Sequence, residues 1–172
     1  EPQTDPNQLW ELESYCDSDW GADKDTRQSI SGWAIFIGNS LIGWGSRGQK
    51  NVTLSSTEAE YVAISELCKE IIYVKQVLQF MNVEIKFPII VHVDNVGAIY
   101  LAKNNGGRRT RHIDIRYHFI REYIEDGVVK VIFVKSDDNV ADPFTKNVSE
   151  SIHDTHTSKF MHNFVEPGYL TM

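Results

Sequence analysis

Residues 55–95 read SSTEAEYVAISELCKEIIYVKQVLQFMNVEIKFPIIVHVDN, and the fold class follows from what this stretch must do. Ser55 followed three residues later by Glu58 is a capping-box pattern, which opens a helix by satisfying its unpaired N–H groups. The apolar positions Ile64, Leu67, Ile71, Val74, Leu78 and Met81 recur at three and four, so the helix presents one stripe and runs to about Met81. Pro88 to Val93 is then a short β-branched run. It predicts a strand buried on both faces, the usual state of a parallel strand. Asp94-Asn95 ends it.

Upstream, Leu12 to Trp20 reads as a strand and Asp23 to Gln28 as a polar turn. Ser31 to Gly38 and Leu41 to Ser46 read as a hairpin across Asn39-Ser40. Downstream come a short helix, Val96 to Lys103, and a loop, Asn104 to Gly107. An amphipathic helix follows from His112 to Glu125, with Ile113, Tyr117, Ile120 and Ile124 on one face. Val128 to Val134 is the fifth strand. Ser136-Asp137-Asp138 is expected to cap a last helix holding Val140, Ala141, Phe144 and Thr145. This order predicts an α/β fold: a five-stranded mixed sheet, three antiparallel strands then two parallel ones, flanked by helices. Residues 1–9 read as a polar tail, 10–148 as one domain, and 149–172 as a C-terminal tail with no clear element, either partly helical or disordered.

The 172 residues are 41% hydrophobic and 24% charged, which excludes disorder throughout. No apolar run is long enough to span a membrane. Cys16 and Cys68 offer one pair at most, so both are expected as buried free thiols in a reducing, intracellular compartment. The first residues have neither a signal-peptide layout nor an initiator Met, and the expectation is a piece of a longer polyprotein. The net charge of −7 speaks against nucleic-acid binding by bulk attraction. Its distribution does not: residues 103–121 hold six Lys or Arg and one acid, which leaves −12 for the rest. That segment is either a solvated basic face or a phosphate-facing patch.

Four acids stand near element ends. Asp17 closes the first strand and could equally form a turn. Glu60 lies four residues before Ile64 on the buried stripe, although a first-turn acid is also favoured by the helix dipole. Glu58 is accounted for by capping. Asp94 ends an apolar strand, where α/β sheets bind ligands, or else caps the next helix. Asp142 sits between Ala141 and Pro143 with no evident cap role. Elements of this order surround one end of a sheet. An oxygen-only donor set suits Mg²⁺ or Mn²⁺, and four carboxylates can hold two Mg²⁺ ions for in-line phosphodiester cleavage. No Cys/His spacing supports zinc, and neither a phosphate-binding Gly motif nor a Gly-x-Ser-x-Gly elbow is present.

Tyr15-Cys-Asp-Ser-Asp-Trp20, Arg27-Gln-Ser-Ile-Ser-Gly32, Leu54-Ser-Ser-Thr-Glu-Ala-Glu-Tyr61, Val93-Asp-Asn95, Arg111 to Glu122 (RHIDIRYHFIRE) and Ala141-Asp-Pro-Phe-Thr-Lys146 stand in the order and spacing of a known family. Over about residues 12–147 the chain resembles the ribonuclease H domain of copia-type LTR retrotransposon polyproteins. The resemblance implies the type I ribonuclease H fold and metal-dependent endonucleolytic hydrolysis of the RNA strand of RNA/DNA hybrids. It carries over Asp17, Glu60, Asp94 and Asp142 as catalytic metal ligands for two Mg²⁺ ions, with Mn²⁺ as a substitute. By that analogy Asp17 bridges the ions, Asp142 serves the one that activates water, and Glu60 and Asp94 serve the other. It also implies an upstream reverse transcriptase domain, a cytoplasmic retroelement particle, and a monomer in isolation. One departure stands out. Residues 134–138 (VKSDD) lack the His that many ribonucleases H carry before the fourth acid, so the rate is expected to depend little on a group titrating near neutrality.

For the substrate, Ser18, Ser31, Gly32 and Asn95 are expected against the RNA minor groove, where small residues approach the 2′-hydroxyls. Arg111, His112 and His118, with Arg47 and Lys50, are expected on the DNA strand. Trp20, Trp33 and Trp44 read as core or sheet-face packing. The competing reading is a catalytically silent nucleic-acid-binding or connector module that depends on a reverse transcriptase domain. An integrase of the same superfold is disfavoured, because there the Glu comes last.

Overall fold

The computed structural model of the chain describes residues 9–104 and 114–158, the side chains of 114–118 excepted. Five strands form one sheet in the order β3-β2-β1-β4-β5. They are β1 (Leu12–Asp19), β2 (Ile30–Ile37), β3 (Ser40–Gly48), β4 (Ile89–Val93) and β5 (Val129–Phe133). β1 pairs antiparallel with β2 and parallel with β4, and β5 adds parallel to β4. The expected mixed sheet is therefore present, with β1 at its centre.

The helices are α1 (Ser56–Phe80), α2 (Val96–Lys103), α3 (Asp114–Glu125) and α4 (Glu150–Thr157). Ser55 caps α1: its Oγ accepts from the Glu58 N–H at 3.2 Å. The Glu58 carboxylate reaches one residue further back than the capping-box pattern implies, accepting from the Leu54 N–H at 2.7 Å. Ile64, Leu67 and Ile71 are fully buried, and Val74 and Leu78 pack partly against the core. The stripe ends there, since Met81 is the C-cap and exposed.

Burial along β4 corrects one expectation. Ile89, Val91 and Val93 are fully buried, but Ile90 and His92 on the other face are only half-buried. The main core lies between α1–α3 and one face of the sheet, and includes Leu12, Cys16, Trp33, Ile35 and Ile120. The opposite face holds only a small cluster of Ala34, Phe36 and Val140, flanked by Tyr15, Leu41 and Phe144. Tyr15 stacks on His92 there, with ring centroids 4.2 Å apart. Cys16 and Cys68 are buried free thiols.

Three other expectations change. The helix expected after Asp138 is replaced by two 3₁₀ turns, Ser136–Asp138 and Asp142–Phe144. Pro143 offers no N–H to an α-helix and biases the residue before it away from helical backbone. Asn139 is diverted too: its amide donates to the Cys16 carbonyl at 2.9 Å and its Oδ1 accepts from the Ala141 N–H at 3.2 Å. Beyond Ser149, where no element stood out, α4 forms and buries His156. Its only large apolar residue is Ile152, so it has no stripe to recognise. Finally, only Trp33 is buried, beneath the Arg47 guanidinium at 5.2 Å. Trp20 and Trp44 are exposed.

The turn at Asp142–Phe144 presses on β2 at Gly32. A Cβ there would lie 2.6 Å from Thr145 Cγ2 and 2.9 Å from Phe144 Cβ. Gly32→Ala is therefore expected to destabilise the fold by about 1–3 kcal/mol through overpacking, read as a lower urea midpoint at unchanged m-value.

Candidate active site

Asp17 lies near the end of β1, in register with Gly32 of β2. Glu60 lies on the first turns of α1, and Asp94 follows β4 directly. One carboxylate oxygen from each of the three comes within 4.8 Å of the others. Asp17 and Glu60 are 3% and 5% exposed, Asp94 half-buried. The alternatives left open by sequence now separate. Glu60 is not a solvated first-turn acid. Asp94 is not the cap of α2, because Asn95 is: its Oδ1 accepts from the Ala98 N–H at 2.9 Å.

The orientation of each acid has a cause. Glu60 Oε1 accepts both the Ser18 N–H at 2.9 Å and the Ser18 hydroxyl at 2.8 Å. Its Oε2 is buried with no hydrogen-bond partner. Asp17 Oδ2 accepts the Thr145 hydroxyl, whose oxygen also lies 3.0 Å from the Asp142 carbonyl. Asp142 is buried on the neighbouring turn, and its Oδ1 is 2.5 Å from the Lys146 ammonium. It stands outside the group of three that meets within 4.8 Å.

Burial dominates the electrostatics. Removal from water raises the Asp17 carboxyl to about 6, with the Thr145 hydroxyl opposing and Asp94 reinforcing. It raises Glu60 to about 8, helped by Asp17 and Asp94 and opposed by Ser18. Complete burial, reinforced by the same acids, pushes the Cys16 thiol well up. A carboxylate oxygen buried without a donor costs free energy unless a proton or a cation meets it. Three carboxylates meeting this closely, with one Glu60 oxygen lacking a donor, fit a hard divalent cation. Asp17, Glu60 and Asp94 could hold such an ion.

The residues expected on the nucleic acid fare differently. Ser18 clamps Glu60. Ser31 and Gly32 are buried, which corrects their assignment to the RNA groove: the Ser31 Oγ accepts from the Gln49 amide at 2.9 Å, and Gly32 packs on the Asp142–Phe144 turn. Asn95 caps α2. Arg47 is drawn toward Glu70 on α1 at 3.7 Å. Arg111 and His112 lie outside the described residues. His118 is on α3, its side chain likewise outside them. Thr145 and Lys146 were missed as site residues, although both belong to the motif around Asp142. His156 was missed as well. It is buried and lines a cavity of about 420 Å³ with Asp142 and Lys146, so an imidazole does share a cavity with the fourth acid, supplied by α4 and not by residues 134–138.

The sheet order and acid placement define the class. The fold is similar to LC11-RNase H1, isolated from compost by metagenomics, with a TM-score of 0.56 over 78% of this chain and 92% of that one, at 15% identity. A second structure of LC11-RNase H1, in complex with an RNA/DNA hybrid, aligns with a TM-score of 0.54 at 13% identity, over 78% of this chain and 94% of that one. The N-terminal RNase H domain of Rv2228c from Mycobacterium tuberculosis aligns with a TM-score of 0.57 over 86% of this chain and 98% of that one, at 10% identity. The chain has the ribonuclease H fold. In sequence it is 36% identical over 158 residues, 91% of its length, to the retrovirus-related Pol polyprotein of transposon RE1 from Arabidopsis thaliana. It is 42% identical over 138 residues, 80% of its length, to that of transposon TNT 1-94 from Nicotiana tabacum. It spans about a tenth of those relatives, 11% and 10% of their lengths. No family model matches the chain. The chain thus corresponds to a segment of copia-type retrotransposon Pol polyproteins, and that segment has the ribonuclease H fold.

The raised carboxyls set a pH dependence. Asp17 and Glu60 bind protons more tightly folded than unfolded, where they titrate near 3.8 and 4.5. Their contribution to stability is therefore fully present below about pH 4 and lost as pH rises through about 6 and then 8. In chelator, the melting temperature of wild type should fall from pH 5 to pH 8 more steeply than that of Glu60→Gln, whose amide does not titrate.

Proposed function

We propose that this domain hydrolyses the RNA strand of RNA/DNA hybrids endonucleolytically, using two divalent ions held by Asp17, Glu60, Asp94 and Asp142. Mg²⁺ is the natural ion and Mn²⁺ a substitute. The observation that carries this reading is the buried meeting of Asp17, Glu60 and Asp94 around an unpartnered Glu60 oxygen, in a domain of the ribonuclease H fold. The hybrid bound to LC11-RNase H1 supports the substrate class.

When bound, such ions supply charge neutralisation at the scissile phosphate and a lowered pKa for water. The chain's own residues do the positioning. Thr145 donates its hydroxyl to Asp17 Oδ2 and so fixes that carboxylate. Ser18 occupies Glu60 Oε1 and leaves Oε2 without a hydrogen bond. Ser18 is thus a positioning residue in this reading, not a groove contact. Burial keeps bulk water off Asp17 and Glu60, so their charges act at low local dielectric. The basic segment around Arg111, His112 and His118 remains the proposed seat of the DNA strand. In the polyprotein a reverse transcriptase domain lies upstream and shares the hybrid, inside a cytoplasmic retroelement particle. The isolated domain is monomeric. Among the described residues no helix is long and apolar enough to cross a membrane.

End-labelled RNA/DNA hybrid, double-stranded DNA and double-stranded RNA test this directly. Cuts are expected in the RNA strand of the hybrid alone, with Mg²⁺ or Mn²⁺ and not with chelator. Asp142→Asn should slow them on the order of 100-fold or more. Salt-sensitive hybrid binding without cleavage would instead mark a silent module. A second, smaller effect belongs to Ser18→Ala, which keeps the backbone N–H but loses the hydroxyl to Glu60. A fall in kcat of roughly tenfold is expected, since one of two charge-assisted bonds goes.

A further inference from the structure

Asp142 has a partner that its companions lack. Asp17, Glu60 and Asp94 converge to within 4.8 Å and Glu60 Oε2 stays open, but Asp142 Oδ1 is already taken by the Lys146 ammonium at 2.5 Å. Two oxygens of one carboxylate cannot be offered freely to a cation while an ammonium sits against one of them. Lys146 also interacts electrostatically with Asp17 and Asp19, so its positive charge acts on the acidic centre as well as on Asp142.

The two partners are not equally committed. The Asp142 side chain is 12% exposed and that of Lys146 is 46%. Asp142 is held by its turn, where its N–H donates to the Asn139 carbonyl and its carbonyl accepts from the Thr145 N–H. The Thr145 hydroxyl, one residue before Lys146, ties the same turn to Asp17. The backbone under Lys146 is thus fixed while its long stem reaches toward solvent. The cavity of about 420 Å³ lined by Asp142, Lys146 and His156 leaves the stem room to swing. Ion pairs of this partly exposed kind contribute little net stability, so exchange for a divalent ion is cheap.

We propose that Lys146 is a resident counter-ion: it holds Asp142 in the metal-free domain and must release it before a divalent ion can share that carboxylate. The inference rests on the reading that these acids bind divalent ions. It makes the centre asymmetric. The ion served by Asp17, Glu60 and Asp94 enters a vacant set of oxygens. The one that needs Asp142 enters by displacing an ammonium, and is the weaker of the two.

Mn²⁺ binding without nucleic acid tests this, by calorimetry and by the electron paramagnetic resonance of free Mn²⁺. Lys146→Met keeps the length of the stem and removes the charge. It should tighten the Asp142-dependent ion roughly fivefold, the scale of a partly exposed ion pair, with the other ion unchanged. Asp142→Asn should abolish the weaker ion in both backgrounds. A second readout separates exchange from simple packing. In chelator Lys146→Met should melt below wild type, and at saturating Mn²⁺ the difference should vanish. Unchanged or weaker Mn²⁺ binding by Lys146→Met overturns the proposal, as does a melting difference that persists with Mn²⁺ bound. A wild type that binds no Mn²⁺ removes the underlying reading of the acids as well. Failure to cut the hybrid, with the Mn²⁺ results as expected, leaves the counter-ion standing and sinks only the nuclease.

Discussion

Three carboxylates that repel one another are packed to within 4.8 Å at one end of a sheet, and much of the local structure exists to keep them there. Bringing such groups out of water is unfavourable twice over, through lost hydration and through mutual repulsion. The fold answers with donors aimed at selected oxygens. Ser18 satisfies one side of Glu60, Thr145 one side of Asp17, and Lys146 one side of Asp142. What remains unsatisfied among the buried acids is Glu60 Oε2. A cation-binding arrangement is in this sense the residue of an incomplete hydrogen-bond inventory.

β1 carries this constraint through the molecule. It supplies Asp17 and Ser18, pairs with β2 on one side and β4 on the other, and accepts the Asn139 amide at Cys16. Its two faces have separate tasks. Leu12 and Cys16 face the main core under α1, which brings Glu60 to the sheet. Tyr15 belongs to the thinner layer of the other face, where Phe144 packs and the Asp142 turn arrives. The absence of a side chain at Gly32 lets that turn approach closely enough for Thr145 to reach Asp17. The centre thus depends on a core-side anchor and an opposite-face anchor meeting at one strand end.

Much of this architecture was legible from periodicity. The helix stripe from Ile64, the β-branched run to Val93 and the hairpin are local patterns with local causes, and all three elements formed, the hairpin turning one residue earlier than expected, at Gly38-Asn39. Glu60 was separable from Glu58 because one lies on the buried stripe and the other on the cap. The 3₁₀ turns were not legible, since the residues around Val140 and Phe144 carry an apolar spacing that a helix would also show. Pro143 and Asn139 override it through a lost N–H and a hydrogen bond to Cys16, and the second is a contact between residues 123 apart in the chain. α4 escaped notice because it has no apolar stripe, and half-burial of Ile90 and His92 depends on what covers the second face.

By itself, the sequence determined the element types, the sheet class and which acids could turn inward, because helix and strand periods, caps and turn residues act over a few positions. The family was legible too, from motifs whose order and spacing survive along the chain. Only the tertiary structure decided what each polar neighbour does. Ser18, Ser31, Gly32 and Asn95 look alike in sequence, small residues beside motif acids. Folding makes the first a clamp on Glu60, the second a partner for Gln49, the third a packing site and the fourth a helix cap. Those roles depend on which long-range surfaces meet, and a side chain's hydrogen-bond partner across the sheet leaves no periodic trace in the chain.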